Sequence, residues 1–264
     1  MKASPLFSIF TVCLNAEAHL ANALESVLVQ SRDDYEYIVA DGGSVDRTLD
    51  ILREYEPRFA GRMRWVSEPD EGLYDAMNRA LGRATGHYVE FLGADDRLRP
   101  GALEAVARVL YRTPRPEIVF GGTHVFGADG AWDEPARHVF RRGLDSRVPA
   151  SHQSMFVRRE VLDRAEGFDL RYKIAADYDL YLRLIDAGCK EVLIDEVLSE
   201  FQLGGASSRR AAATAREYRD VRVAHGANAL VEDFVMLKST LAAIAFAGWM
   251  KLFGRAPGST GATP

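Results

Sequence analysis

Asp95 and Asp96 stand side by side just beyond an apolar run, Tyr88-Val89-Glu90-Phe91-Leu92. Adjacent carboxylates at the carboxyl end of a strand lie where an open α/β sheet holds its ligands. Two hard oxygen anions there suit Mg²⁺ or Mn²⁺ with coordination positions left for phosphate oxygens. An Asp-Asp pair also opens ordinary turns, so its company matters. Asp41-Gly42-Gly43-Ser44-Val45-Asp46 and Glu68-Pro69-Asp70-Glu71-Gly72 lie upstream, and Asp177 lies downstream.

Each group has a chemical reading and a plain one. Asp41 ends a strand and can accept N3–H of uracil or N1–H of guanine; alternatively it satisfies the amides of its own Gly-Gly turn. Ser44 is no nucleophile-elbow serine, since the closing glycine of that motif is missing. Tyr74, Asp75, Asn78 and Arg79 share a polar helix face opposite Leu73 and Met77. That density of hydrogen-bonding groups points to a sugar or phosphate site; a solvated face is the alternative. Asp70 and Glu71 suit a helix start. Asp177 and Asp179 precede Leu180, Leu184 and Ile185, where an Asp commonly caps a helix; the other role for Asp177 is a base. His152 and Gln153 sit in a loop with no metal-ligand spacing around them.

The elements that must position these groups alternate strand and helix, the pattern of a mostly parallel sheet with helices on its faces. Strands are expected at Phe7–Val12, Tyr35–Ala40, Arg64–Val66, Tyr88–Leu92, Ile118–Phe120 and Val192–Ile194. Asn15 is a candidate cap for a helix carrying Leu20, Leu24, Val27 and Leu28. Ser44 or Asp46 starts the next helix, and others run through Leu73–Leu81, Leu103–Leu110, Val161–Ala165 and Tyr178–Ala187. Glu90 lies inside a strand that a parallel sheet buries. Either a cation pairs with it or that face opens onto the site, because a lone buried carboxylate is costly.

The chain has 264 residues, 47% of them apolar, enough for a full core. Its net charge of -5 and pI near 5.7 argue against a nucleic-acid partner. Two distant cysteines, Cys13 and Cys189, make neither a disulfide framework nor a zinc set, which suggests a reducing compartment. No secretory leader is evident, and no apolar stretch reaches the roughly 18 residues of a spanning helix. A cytoplasmic protein is expected. Nicotinamide, P-loop and zinc-hydrolase motifs are absent.

Taken together, Ser8–Val12, Val39–Asp46, Glu68–Asn78, Phe91–Asp96 and Ala176–Leu180, in that order, resemble glycosyltransferase family 2 over about residues 6 to 208. Pro149–Gln153 and Ser199–Phe201, followed by Gly204–Ser207, resemble its colanic-acid fucosyltransferase branch. The resemblance implies a GT-A fold, a UDP- or GDP-sugar donor, Mn²⁺ or Mg²⁺, and inversion at the anomeric carbon. Position by position it implies that Thr11 and Asp41 hold the nucleotide, that Asp95 and Asp96 form the metal motif, and that Asp177 is the base. Asn15, Ser44, Asp70, Tyr74, Asp75 and Asn78 join the donor side; His152, Gln153 and Asp179 join the acceptor side. Gly93 departs from relatives with Asp or Asn there, and Ala176 from those with Glu. No Gln-x-x-Arg-Trp signature of processive synthases is present, which favours transfer of one sugar.

The expected organisation is a nucleotide-sugar-binding half at 1–121 and an acceptor-binding, catalytic half at 122–208. A helical extension covers 209–254, with a disordered tail at 255–264. The expected activity is transfer to a hydroxyl of a glycan or lipid-linked acceptor in bacterial surface polysaccharide assembly. A non-catalytic nucleotide-sugar or glycan-binding protein is the alternative, kept open by Gly93; a nucleotidyltransferase is a third reading. The apolar run Leu241–Phe253, with arginines at 209–222, suits peripheral contact at the inner face of the membrane, or packing on the catalytic domain or in a homodimer.

Overall fold

A computed structural model describes residues 4–112, 115–127, 130–137, 152–203, 211–235 and 237. Arg209, Arg210, the run Leu241–Phe253 and the tail at 255–264 lie outside the described residues.

Among the described residues nine strands form one sheet in the order β3 (Met63–Ser67), β2 (Tyr35–Asp41), β1 (Phe7–Cys13), β4 (Tyr88–Phe91), β8 (Met155–Arg158), β6 (Ile118–Gly127), β9 (Glu191–Gln202), β5 (Arg97–Leu98), with β7 (Gly130–Glu134) paired to β6. Its parallel part comprises β1, β2, β3 and β4. Every residue of β1, β2 and β4 is buried, as expected for strands covered on both faces. Beyond β4 the pairing turns antiparallel through β8 to β6. The β7 strand pairs with β6, and β5 pairs with β9. One sheet therefore runs through both expected halves.

Alternate β-strand residues feed two cores. Phe10, Val12, Ile38 and Phe91 pack against α3 (Leu73–Leu81), α5 (Arg159–Arg164) and α6 (Ala176–Asp186). Ile9, Tyr37 and Val39 pack against α1 (Leu20–Leu28), α2 (Thr48–Tyr55) and α4 (Ala102–Arg112). The last described long helix is α7 (Ala211–Ala224), with a further helical stretch at 229–235.

Four expectations change. The strand expected to stop at Gly121-Gly122 continues through them to Gly127. A Cβ at Gly121 would lie 2.3 Å from the Leu198 side chain, so the glycine lets β9 approach closely. The β9 strand is correspondingly twelve residues long, not three. Asn15 caps no helix: α1 begins at Leu20 with His19 before it, and Asn15 adopts φ 52° in the preceding loop. Among the described residues Glu90 gains neither a cation nor an open face. It is fully buried and both its oxygens lack a hydrogen bond. Burial, then the charge of Asp96, pushes its carboxyl well above the usual range, so it is held neutral.

Candidate active site

The parallel register sets Cys13, Asp41 and Ser67 side by side at the carboxyl ends of β1, β2 and β3. Asp41 organises the turns that follow. Its carboxylate accepts Gly43 N–H at 3.1 Å, Ser44 N–H at 2.9 Å, Ser67 Oγ–H at 2.6 Å and the Ser44 hydroxyl. Burial raises its carboxyl, but Ser44, Ser67 and the two amides outweigh this and hold it below the usual range. Ser44 Oγ also accepts the Asn15 N–H at 2.7 Å, and Asn15 Oδ1 accepts Val45 N–H at 3.0 Å. The turn-building alternative for Asp41 is therefore realised, and a base edge would reach its oxygens only by displacing a serine. Ser67 was missed in the sequence, although its place opposite Asp41 follows from aligning the strand ends.

Beside this turn is a small hollow lined by Ala40, Asp41, Val66, Asp70, Arg79 and Arg83, among others. Asp70 closes over the backbone, since a Cβ on Gly42 would lie 2.6 Å from its Oδ2. Thr11 does not reach the hollow. It is fully buried, and its hydroxyl pairs with Tyr37 Oη at 2.8 Å on the other face of the sheet.

The polar face of α3 also differs from expectation. Asn78 is spent on the turn before α6, donating to Phe168 O at 2.9 Å and accepting Phe168 N–H at 2.8 Å. Asp75 accepts the Glu71 N–H at 3.0 Å and pairs with Arg79 at 2.8 Å. Asp179 is a buried anchor between helices, 2.7 Å from Arg183 and 3.2 Å from His225. These three side chains have partners within the fold: Asn78 and Asp179 tie their helices to segments distant in sequence, and Asp75 bonds the start and the next turn of its own helix.

Tyr74 points toward Asp177. Its hydroxyl donates to Ile174 O at 2.7 Å and lies 3.1 Å from Asp177 Oδ1. Burial, then the charge of Asp177, pushes that hydroxyl well above its ordinary value, so it stays a donor. Asp177 occupies the first turn of α6, two positions past the capping site at Ala175. Tyr178 N–H donates to its Oδ1 at 2.8 Å, and His152 Nδ1 lies 3.3 Å from its Oδ2. Its side chain keeps 16% exposure, and that of His152 keeps 27%.

His152 and Gln153 connect Asp177 to the tandem aspartates. Gln153 Nε2 donates to Asp96 Oδ2 at 2.7 Å, and Gln202 N–H donates to Asp96 Oδ1 at 3.2 Å. Asp96 is 2% exposed, and burial followed by the charge of Asp95 pushes its carboxyl up to about 6. Burial lowers His152, but the hydrogen bond and charge of Asp177, then Asp96 and Asp95, raise it above its ordinary value. Asp95 is half-buried and has no carboxylate neighbour closer in sequence than Asp96. Gly93 leaves the room both need: a Cβ there would lie 2.3 Å from Asp96 Oδ2 and 3.1 Å from Asp95 Oδ1. Among the described residues no three His, Cys, Asp or Glu side chains are arranged so that they could hold a metal ion together. The hard-oxygen cradle over Gly93 nonetheless fits an ion that takes one or two carboxylates and completes its shell from phosphate and water.

The site thus has two parts on one edge of the sheet, the Asp41 turn and the Asp95–Asp96–His152–Asp177 cluster. The strands carrying them, β2 and β4, flank β1, a separation of about 10 Å at ordinary strand spacing.

Comparison with known proteins fits this arrangement. The family model described as "Glycosyl transferase family 2" matches residues 8–178. A PGL/p-HBAD biosynthesis glycosyltransferase from Mycobacterium bovis is 35% identical over 185 residues, 69% of this chain and 70% of that protein. The chondroitin synthase of Escherichia coli is 30% identical over 193 residues, 71% of this chain but 28% of the synthase. In fold, the chain is similar to a mannosyltransferase from Pyrobaculum calidifontis solved with GDP-Man and Mn²⁺. That likeness has a TM-score of 0.67 at 19% identity and covers 97% of this chain and 78% of the other. S. aureus TarS 1–349 with UDP-GlcNAc gives a TM-score of 0.61 at 17% identity, covering 94% and 76%. These neighbours have the GT-A architecture.

Proposed function

Because this chain belongs to glycosyltransferase family 2, we propose that it moves one sugar from a nucleotide-sugar donor to an acceptor hydroxyl with inversion. The observation that carries the reading is the Asp177 carboxylate, held by Tyr74 and His152 within a cluster that includes Asp95 and Asp96.

A hydroxyl is a poor nucleophile until a base takes its proton during attack. Asp177 is that base: the proton passes to its carboxylate as the hydroxyl oxygen bonds the anomeric carbon and the bond to the diphosphate breaks on the opposite face. Tyr74 and His152 leave the carboxylate little freedom to rotate away, and fixed geometry supplies much of the rate. Asp95 is the residue to hold Mn²⁺ or Mg²⁺, because both oxygens of Asp96 are already engaged. A divalent ion there would neutralise charge on the departing nucleoside diphosphate. The nucleoside is assigned to the side of the site that carries the Asp41 turn and Arg79, where the hollow is too small for a base until a lining side chain such as Asp70 moves aside.

The acceptor is a glycan or lipid-linked glycan of the bacterial surface, and the chondroitin synthase among the relatives supports a sugar acceptor. Resemblance to the colanic-acid fucosyltransferase branch supports a hexosyl or deoxyhexosyl donor. No helix among the described residues is long and apolar enough to cross a membrane. We place the reaction on the cytoplasmic side, with peripheral membrane contact or a homodimer through the C-terminal segment. The binding-only alternative rested on Gly93, and it loses that footing because the glycine makes room for Asp96.

The test is Asp177→Asn. Release of UDP or GDP from a nucleotide-sugar panel should fall by about 100-fold or more, while binding of UDP or GDP persists. Full turnover in this variant would remove Asp177 as the base.

A further inference from the structure

We propose that His152 is the positioning residue of the transfer reaction, its Nδ1 fixing the Asp177 carboxylate so that a free lone pair meets the acceptor hydroxyl. The inference rests on the role of Asp177 proposed above and goes beyond it.

The geometry has three parts. The Asp177 carboxylate is held at Oδ1 by the Tyr178 N–H at 2.8 Å, with the Tyr74 hydroxyl, shared with Ile174 O, at 3.1 Å, and is approached at Oδ2 by His152 Nδ1 at 3.3 Å. Tyr74 comes from α3 and His152 from a single 3-10 turn, His152–Ser154, so the grip joins two elements distant in sequence. That turn is itself immobilised. Gln153 bonds Asp96, and the buried Ser154 hydroxyl bonds Gly122 O at 2.8 Å and Ser199 Oγ at 2.6 Å. Consecutive residues therefore reach two carboxylates of the cluster, Asp177 through His152 and the framework carboxylate Asp96 through Gln153. A carboxylate with a single anchor can swing about its terminal torsion, which is broad and weakly restrained. A second anchor from a rigid turn removes that motion, and a misplacement of this order is costly to rate.

The choice of residue has a specific consequence. Asparagine can offer an N–H near the Nδ1 position of histidine, whereas glutamine reaches nearer to Nε2. The experiment uses whichever of UDP-glucose, UDP-GlcNAc, GDP-mannose and GDP-fucose the full-length enzyme turns over fastest. His152→Ala should lower kcat by about 10- to 100-fold with donor KM within about twofold. His152→Asn should restore most of the loss and His152→Gln little of it, with thermal denaturation confirming that each is folded. If the alanine variant does not fold, the asparagine and glutamine variants decide alone.

Equal rates in those two, unchanged kcat in the alanine variant, or a loss confined to donor KM would overturn the positioning role. The parallel Asp177→Asn measurement separates the two ideas. An active Asp177→Asn sinks the reading of the base; an inactive one beside a fully active His152→Ala sinks only the inference about His152.

Discussion

Gln153 Nε2 donates to Asp96 Oδ2 at 2.7 Å, and this bond makes the two aspartates of the tandem unequal. Asp96 is buried, bonded at both oxygens and raised toward neutrality, so it behaves as part of the framework joining β4, β9 and the 152–154 turn. Asp95 is half-buried, and among the described residues no hydrogen bond or ion pair engages its carboxylate.

The inequality is measurable with Mn²⁺ and UDP or GDP as probes. Asp95→Asn should lose the Mn²⁺-dependent rise in melting temperature while keeping the melting temperature of the free protein. Asp96→Asn should lower stability by about 1–3 kcal/mol, since an amide offers one acceptor where two donors arrive. The reverse pattern would assign the ion to Asp96.

Gly93→Ala tests the room above that pair. The new Cβ would lie 2.3 Å from Asp96 Oδ2, and Gln153 and Gln202 resist the movement that would relieve it. We expect turnover to fall by more than tenfold, with a stability loss of about 1–3 kcal/mol typical of overpacking. Wild-type kcat in a folded Gly93→Ala would show that Asp96 yields freely.

Much of the fold was legible because parallel strands buried on both faces read as unbroken apolar runs, as Phe7–Cys13 and Tyr35–Asp41 do. The β9 strand was legible only at Val192–Ile194, because Asp195, Glu196, Ser199 and Glu200 interrupt the apolar pattern while long-range pairing with β6 carries the strand onward. Within the site, Asp95, Asp96 and Asp177 stood out by type and by their place at element ends. The roles of Asp75 and Asn78 on α3 were not legible for a physical reason: a polar helix face looks alike whether it meets a ligand or another backbone. Only the chain folding Phe168 and Ile174 against α3 decides the matter, and that contact is about 90 to 100 residues away in sequence.

Asn78→Ala separates these meanings. Removal of its two buried bonds to Phe168 should destabilise the protein by about 2 kcal/mol, because Phe168 loses a donor and an acceptor together. Affinity for UDP or GDP, measured by calorimetry below the melting temperature, should stay within about twofold. A large loss of affinity with unchanged stability would return Asn78 to the donor site.

Glu90 supplies a pH signature. Its carboxyl is fully buried without a hydrogen bond and is raised well above 4.5 in the folded state. Above pH 4.5 the unfolded chain has lost the proton that the native protein retains, so stability falls as pH rises, until the native group itself ionises. The fall is at most about 1.4 kcal/mol per pH unit for one group. Glu90→Gln keeps the shape and removes the proton. Urea unfolding at about pH 5.5 and about pH 8 should therefore show the variant gaining on the wild type as pH rises. Asp96 contributes with the same sign to both proteins and cancels in the difference. Parallel stability curves for the two proteins would mean that Glu90 is ionised in the native state, paired with a cation that the fold does not reveal.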